Sequence, residues 1–353
     1  MEQKILTIQS KFYSKYFSFF ILFFLVIIFP GCSQQEVLKS YEFTGTTMGT
    51  IYSIKIIEKK EASDLESLKI KIDSLLIQVN LQMSTYIDSS EISQFNMLKD
   101  TTWFNVSKDF SLVMNQALRI SKLTNGYYDV TVGPLVNLWG FGTDRKTKII
   151  PTDEEINIAK KKIGYNYLKV DTVNFKIKKT NKNLYCDLSS IAKGFGVDKV
   201  GEFLEEQGLF NYMVEIGGEV RTKGKNQFSE KWHIGISNPN ATDLQQVVNL
   251  SGESIATSGD YLNYFEKDGI RYSHLINPKT GKPITHNLAS VSVIHEECTI
   301  ADAFATVIDI MGPEKGMELA QKEKLSVFMI VRKKNKFIEL STKSFEKYFS
   351  EGK

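Results

Sequence analysis

The feature that most restricts how this chain can fold is an apolar run, Asp302 to Met311, that carries a carboxylate at its start. The run reads as a helix, and Asp302 and Thr306 are four residues apart, so their oxygens lie one above the other on one face. An ionised Asp is almost never buried without a partner, so whatever packs around this helix must satisfy that carboxylate. Two readings follow. A cation could sit against the carboxylate and the hydroxyl, and hard oxygen ligands suit Mg²⁺ or Ca²⁺. Alternatively, Asp302 caps the helix start or accepts a hydrogen bond from a neighbouring backbone amide. Far upstream, Asp187-Leu-Ser-Ser-Ile-Ala-Lys-Gly-Phe-Gly196 also places a carboxylate where a core helix would want an apolar side chain.

The N-terminus is a targeting segment. Lys4, Lys11 and Lys15 form a basic region, Phe17 to Phe29 is apolar except for Ser18, and Pro30-Gly31-Cys32 follows. The run is short for a permanent membrane span. It resembles a bacterial lipoprotein signal over residues 1–31, cleaved before Cys32 with lipid on the Cys32 sulfur, although Phe29 and Pro30 depart from the usual lipobox. An uncleaved anchor is the alternative. Both predict a body on the extracytoplasmic, periplasmic side of a membrane, with residues 32–40 as lipidated Cys and tether and 41–345 as the functional unit.

Residues 1–31 hold three Lys and one Glu, so the formal charge of +3 falls to +1 without them. A nearly neutral body has no electrostatic footprint for nucleic acid. Cys186 and Cys298 are expected to be unpaired buried thiols, and no Cys/His spacing of the metal-binding kind occurs. No linker-like stretch divides the body, which predicts one compact unit.

Tyr41 to Ile57 reads as two strands, and Ser63-x-x-Glu66 as a capping box before the helical stripe Leu65, Leu68, Ile72, Leu75, Leu76, Val79. Phe110 to Ala117 marks a second helix stopped by Asn125-Gly126, and Pro151 a third helix start. Short strands are expected around Leu168–Val170 and Phe175–Ile177, and a helix over Ser190–Leu204. Further strands are expected at Tyr212–Ile216, Trp232–Ile236, Gln246–Leu250 and Ser290–His295, then a helix opened by Pro313 and a hairpin of Leu325–Val331 with Lys336–Leu340. Strands interspersed with helices, without strict βαβ alternation, predict an α+β fold of mainly antiparallel sheets with packed helices.

Several glycine-rich or polar clusters punctuate this pattern, and each alone reads first as structure: a tight turn at Gly45 to Gly49, a helix end and loop at Met83 to Asp88, a strand with a turn at Tyr127 to Pro134. Their joint order is distinctive: Gly45-Thr-Thr-Met-Gly-Thr50, Met83-Ser-Thr-Tyr86, Asp129-x-Thr-Val-Gly-Pro-Leu135 with Trp139-Gly-Phe-Gly142, Asp187-Leu-x-x-Ile-Ala-Lys-Gly194, Gly217-Gly218, Ser258-Gly-Asp-Tyr261, His274-x-Ile-Asn-Pro-x-Thr-Gly281 and Ala301-Asp-Ala-x-Ala-Thr306. From about Tyr41 to Leu340 the chain resembles the ApbE family of FAD:protein FMN transferases, once described as thiamine-biosynthesis lipoproteins. The resemblance implies a T-fold-like α+β unit that takes FAD as substrate, uses Mg²⁺, and modifies a Ser or Thr of an acceptor protein.

The resemblance further implies that Asp302 and Thr306 bind Mg²⁺ through their side chains and Ser190 through its carbonyl. Met48, Tyr86, Tyr127, Tyr128, Asp129, Asp187, Lys193 and Ile276 match positions lining the FAD site, and His274 matches a histidine beside the diphosphate. Ser189-Ser190 stands where many members have Gly and a small residue, and Glu215 where Asn is common. The chemistry suits these residue types. Phosphoryl-type transfer depends on positioning and on neutralising phosphate oxygens, which Lys193 and a cation would do. Tyr86, Tyr127, Tyr128 and Met48 suit a flat ring system. His274 is the candidate general base, with a structural histidine as the equal alternative.

Two rivals use the same residues: a Mg²⁺-dependent FAD pyrophosphatase, with water in place of the acceptor hydroxyl, and a flavin-binding lipoprotein without turnover. Asp302, Thr306 and Lys193 together argue against pure storage. The chain lacks an acceptor signature of its own, since Phe304 occupies the glycine position of the nearest match, so it should act in trans.

Overall fold

The computed structural model describes residues 38–58, 65–143, 150–239, 244–259, 263–334 and 336–350. The leader, Cys32, Ser63, Asp260 and Tyr261 lie outside them. An eight-stranded sheet forms the centre: β1 (Lys39–Thr47), β2 (Thr50–Glu58), β3 (Tyr212–Ile216), β4 (Glu219–Lys223), β5 (Ser254–Gly259), β6 (Leu288–His295), β7 (Ser326–Lys333) and β8 (Lys336–Ser341). Spatial order follows chain order and every pairing is antiparallel, as an α+β reading requires. The helices are α1 (Leu65–Met83), α2 (Glu91–Met97), α3 (Lys108–Leu123), α4 (Gly133–Leu138), α5 (Asp153–Lys160), α6 (Ala192–Glu206), α7 (Cys298–Met311), α8 (Pro313–Lys322) and α9 (Lys343–Glu346). Among the described residues, no helix is long and apolar enough to cross a membrane.

Strand alternation lets the sheet bury both faces. Ile54 and Ile56 of β2, with Val214 and Ile216 of β3, pack against Ile72 and Leu76 of α1 and Val197 and Val200 of α6. On the same side, Val291 and Val293 of β6 and Val327 and Met329 of β7 meet Ala301, Ala305 and Ile308 of α7. Ile57, Val220, Ile294, Phe328 and Ile330 point the other way, onto the hairpin Trp232–Ser237/Leu244–Leu250 and Phe345 of α9. β6 is therefore buried from Leu288 to Ile294, and its polar Ser292 is satisfied by Thr257 at 2.7 Å.

Local signals explain most boundaries. Ser107 caps α3, a Thr152/Glu155 capping box starts α5, and Asn125 and Gly126, both at positive φ, end the turn after α3. α7 starts at Cys298, four residues before the expected Asp302, because its cap comes from another helix. The Asp198 carboxylate of α6 accepts from the backbone N–H of Cys298 (3.0 Å), the backbone N–H of Thr299 (2.8 Å) and the Thr299 hydroxyl (2.6 Å). Tyr127 to Pro134, a possible strand from sequence, instead makes turns leading into α4. Asp129 folds this segment by accepting from the Thr131 amide and hydroxyl and from the Tyr165 amide, and Pro134 sits in the first turn of α4. Cys186 and Cys298 are free and buried, and burial pushes both thiols up.

Candidate active site

The turn between β3 and β4 is two residues long, Gly217 (φ 60°) and Gly218 (φ 97°), the hairpin geometry that needs positive φ at both positions. It delivers Glu219, 2% exposed, into the space beside the start of α6 and the inner face of α7. There Lys193 of α6 forms an ion pair with Glu219 Oε1. Asp302 of α7, 5% exposed, accepts the Gly194 amide on Oδ2 at 3.0 Å. A side chain at Gly194 would meet the Cys298 carbonyl oxygen at 2.4 Å and Asp302 Cβ at 2.9 Å, so only glycine lets the two helices cross this closely.

Asp302 therefore accepts from a neighbouring backbone amide and also lines an open cleft of about 410 Å³. The cleft runs over Thr306, Ser190, Asp187, Tyr128 and Asp129 and past the end of β5 at Thr257 and Ser258 to His274 and Ile276, with Tyr86 and Phe141 also in its wall. Tyr128 is buried, bonded by the Ser190 hydroxyl at 2.9 Å, and desolvation raises its phenol so that it stays protonated. Asp187 accepts the Ser189 amide at 2.8 Å, fixing the loop into α6. His274 Nδ1 lies 2.9 Å from the Asn263 carbonyl. A carbonyl can only accept, so Nδ1 carries the proton, and in the neutral ring Nε2 holds the lone pair.

Charge is unevenly balanced here. Burial works against the Lys193 ammonium, but Asp302 and then Glu219 outweigh it and raise its pKa. Burial, followed by the charge of Asp302, pushes the Glu219 carboxyl up to about 8 against the pull of Lys193. Burial likewise raises Asp302, opposed by Lys193 and the Gly194 amide. Two buried carboxylates thus share one ammonium, and Glu219 Oε2 has no hydrogen-bond partner among the described residues. Among those residues no group of three or more His, Cys, Asp and Glu side chains could hold a metal. The set that could hold one is of hard oxygens: Asp302, Thr306 and Ser190. That set fits Mg²⁺, and the negative charge present once both carboxyls ionise fits a cation.

The other predicted positions are placed differently. Met48 (φ 50°) and Gly49 (φ 73°) form the β1–β2 turn, and Met48 packs towards Gly196 of α6 rather than lining the cleft. Tyr127 also stands outside the cleft lining, with Lys279 and Lys315 Nζ at 5.5 and 5.6 Å from its ring centroid. Tyr86 is 70% exposed at the rim. Asp129 spends its carboxylate on Thr131 and Tyr165, so its contribution to the wall is positional. Glu215 pairs across to Ser53 in the sheet and does not line the cleft. Sequence reasoning passed over Glu219. The available signal was an acidic residue directly after Gly217-Gly218, entering a strand whose next residue, Val220, is core.

An ammonium and two carboxyl groups under an aromatic rim, with a histidine in the same wall, make a charged cleft of the kind that takes a polar ligand. Comparison with known proteins narrows this. Residues 48–329 match the model of the ApbE family. A relative from Vibrio cholerae, "FAD:protein FMN transferase", is 43% identical over 327 residues, covering 92% of this chain and 97% of that protein. The solved flavin transferase ApbE from Vibrio cholerae superposes with a TM-score of 0.83 at 43% identity, covering 88% of this chain and 100% of that one. The apo flavinyl transferase ApbE of Pseudomonas stutzeri gives 0.82 at 36% identity, over 89% and 98% of the two chains. The chain belongs to the ApbE family and is a transferase.

Proposed function

We propose that this enzyme moves the FMN moiety of FAD onto a Ser or Thr hydroxyl of a separate acceptor protein, releases AMP, and uses Mg²⁺. The observation that carries the reading is the meeting of Lys193, of Asp302 and Thr306 on one helix, and of His274, from three separate stretches of sequence, around one cleft. The names of the relatives support flavin transfer.

In this reading the diphosphate of FAD lies over Lys193, and the flat rings lie against Tyr86 and Phe141. The acceptor hydroxyl attacks the FMN-side phosphorus while His274 Nε2 takes its proton. The P–O bond to AMP breaks and AMP departs with the bridging oxygen. Lys193 meets charge that builds on the phosphate oxygens, and its ion pair with Glu219 fixes where that ammonium points. Held by Asp302, Thr306 and the Ser190 carbonyl, Mg²⁺ would supply further charge neutralisation at the diphosphate. A hydroxyl docked in the cleft competes with water through its high effective concentration.

Incubating the soluble body with FAD, Mg²⁺ and candidate extracytoplasmic proteins tests this by intact mass. The expected result is an acceptor heavier by FMN on Ser or Thr, with AMP in matching amount. AMP and free FMN without labelled protein would make the chain a pyrophosphatase; FAD bound but never cleaved would make it a binding protein. The extracytoplasmic, lipid-anchored location belongs to the same proposal and rests on the leader before Cys32. Cys32→Ser should release or mislocalise the protein with full activity in extract; unchanged membrane attachment would favour an uncleaved anchor.

A further inference from the structure

We propose that Glu219 is the second carboxylate of the divalent-cation site, contributing Oε2 alongside the Asp302 carboxylate and the Thr306 hydroxyl. The assignment rests on the cation dependence proposed above and adds a ligand to it. The first observation is an unmet valence. Glu219 is 2% exposed, its Oε1 is taken by Lys193, and its Oε2 is buried without a partner among the described residues. An orphaned carboxylate oxygen in a protein interior costs several kcal/mol unless something occupies it. Protonation would not remove the problem, because a proton on Oε2 turns an unpaired acceptor into an unpaired donor.

The second observation is place. Glu219 lines the same cleft as Asp302, Thr306 and Ser190, and it interacts electrostatically with Asp302 while sharing Lys193 with it. When both carboxyls are ionised, two carboxylates against one ammonium leave one negative charge that no side chain there cancels, and a cation rather than a proton on Glu219 would balance it. Mg²⁺ is commonly held by one or two carboxylates with the remaining positions left to substrate phosphates and water, which is the set assembled here. The third is rigidity. The Gly217-Gly218 turn fixes the start of β4, and Gly217 donates its amide to the Ile51 carbonyl at 3.1 Å, so the backbone carrying Glu219 is pinned to β2. Glu219 would thus tie the metal to Lys193, setting the two positive charges that face the diphosphate at a fixed spacing.

The test is direct cation binding to the intact, FAD-free protein. Mn²⁺ is titrated with and without ADP, and free Mn²⁺ is read by electron paramagnetic resonance. The wild-type chain should bind Mn²⁺ and Asp302→Asn should lose it. Glu219→Gln should weaken binding by ~10-fold or more, the cost typical of removing a supporting carboxylate. Removing any nearby negative charge also weakens a cation site, so Glu219→Asp decides the matter. It keeps the charge but withdraws the oxygens by one methylene, and it should weaken binding several-fold as well. Wild-type affinity in Glu219→Gln, or in Glu219→Asp alone, overturns the assignment and leaves the proposed reaction standing. A wild-type chain that binds no Mn²⁺ even with ADP overturns both.

Discussion

Gly194→Ala tests whether the close crossing of α6 and α7 is what sets the site. The added Cβ would lie 2.4 Å from the Cys298 carbonyl oxygen, 2.7 Å from its carbon and 2.9 Å from Asp302 Cβ. Ordinary contact needs roughly 3.5 Å, so the helices must part by about 1 Å, and backbone atoms cannot rotate away as a side-chain tip could. Overpacking of this kind costs ~1–3 kcal/mol. Parting the helices also stretches the Gly194 amide from Asp302, a bond to a charged acceptor worth ~1.5–3 kcal/mol. Alanine returns up to ~1 kcal/mol through its better helix propensity. The net expectation is a loss of ~2–4 kcal/mol, which at ~2–4 °C per kcal/mol lowers the melting temperature by roughly 5–15 °C. Turnover should fall further than stability explains, because a 1 Å shift of a catalytic constellation can cost ~10²-fold. Thermal melts and FAD turnover at a temperature where the variant is folded check both parts. A variant within ~0.5 kcal/mol of wild type with unchanged turnover would refute the argument that this contact positions Asp302.

Other outcomes follow from the same geometry. The Glu219 carboxyl, raised by burial and by Asp302 to about 8, holds its proton better in the folded chain than in the unfolded one. Folding therefore takes up a proton between the ordinary carboxylate range and about 8, and the stability of the metal-free protein should fall as pH rises through that window. Denaturant unfolding at several pH values should show that slope and Glu219→Gln should flatten it; a rising slope would contradict the burial argument. His274→Gln should cut transfer by ~10²–10⁴-fold while leaving FAD binding within a few-fold, and intact turnover would return His274 to a structural role. Tyr86→Ala, at a 70% exposed position, should weaken FAD binding without moving the melting temperature, and a large drop in stability would show that the ring packs elsewhere.

Much of the fold was legible because its signals are local. The β1–β2 hairpin, the stripe of α1 and the closing hairpin β7–β8 follow from alternation and helical spacing over a dozen residues. What sequence could not show was support arriving from a distance. The start of α7 is fixed by Asp198, a hundred residues upstream, whose carboxylate meets Cys298 and Thr299 and is held in turn by Arg221 at 2.8 Å. Without that partner, the stretch before Asp302 carries no cap of its own, so the local signal places the helix start four residues too late. β4 and β5 were missed for a related reason. Glu219 to Lys223 alternates charge with Val220 and Thr222, and it becomes a central strand only because β3 and β5 flank it.

The site divides along the same line. Asp187 and Asp302 could be marked as candidates because a carboxylate is unusual in core sequence, whereas Lys193 and His274 were marked through the resemblance to the family. Their convergence was invisible, since it depends on α6 and α7 crossing at Gly194 and on the β3–β4 turn reaching the crossing. Asp302 shows why neither sequence reading excluded the other. One oxygen takes the Gly194 amide, as the backbone-bonding reading required, and the residue still lines the cleft where a cation would sit. Glu219 escaped notice because an acidic residue at a strand start ordinarily faces water. Here the twin-glycine turn carries it inward, and a carboxylate brought inside without a full set of partners is the kind of local cost a fold keeps for a functional reason.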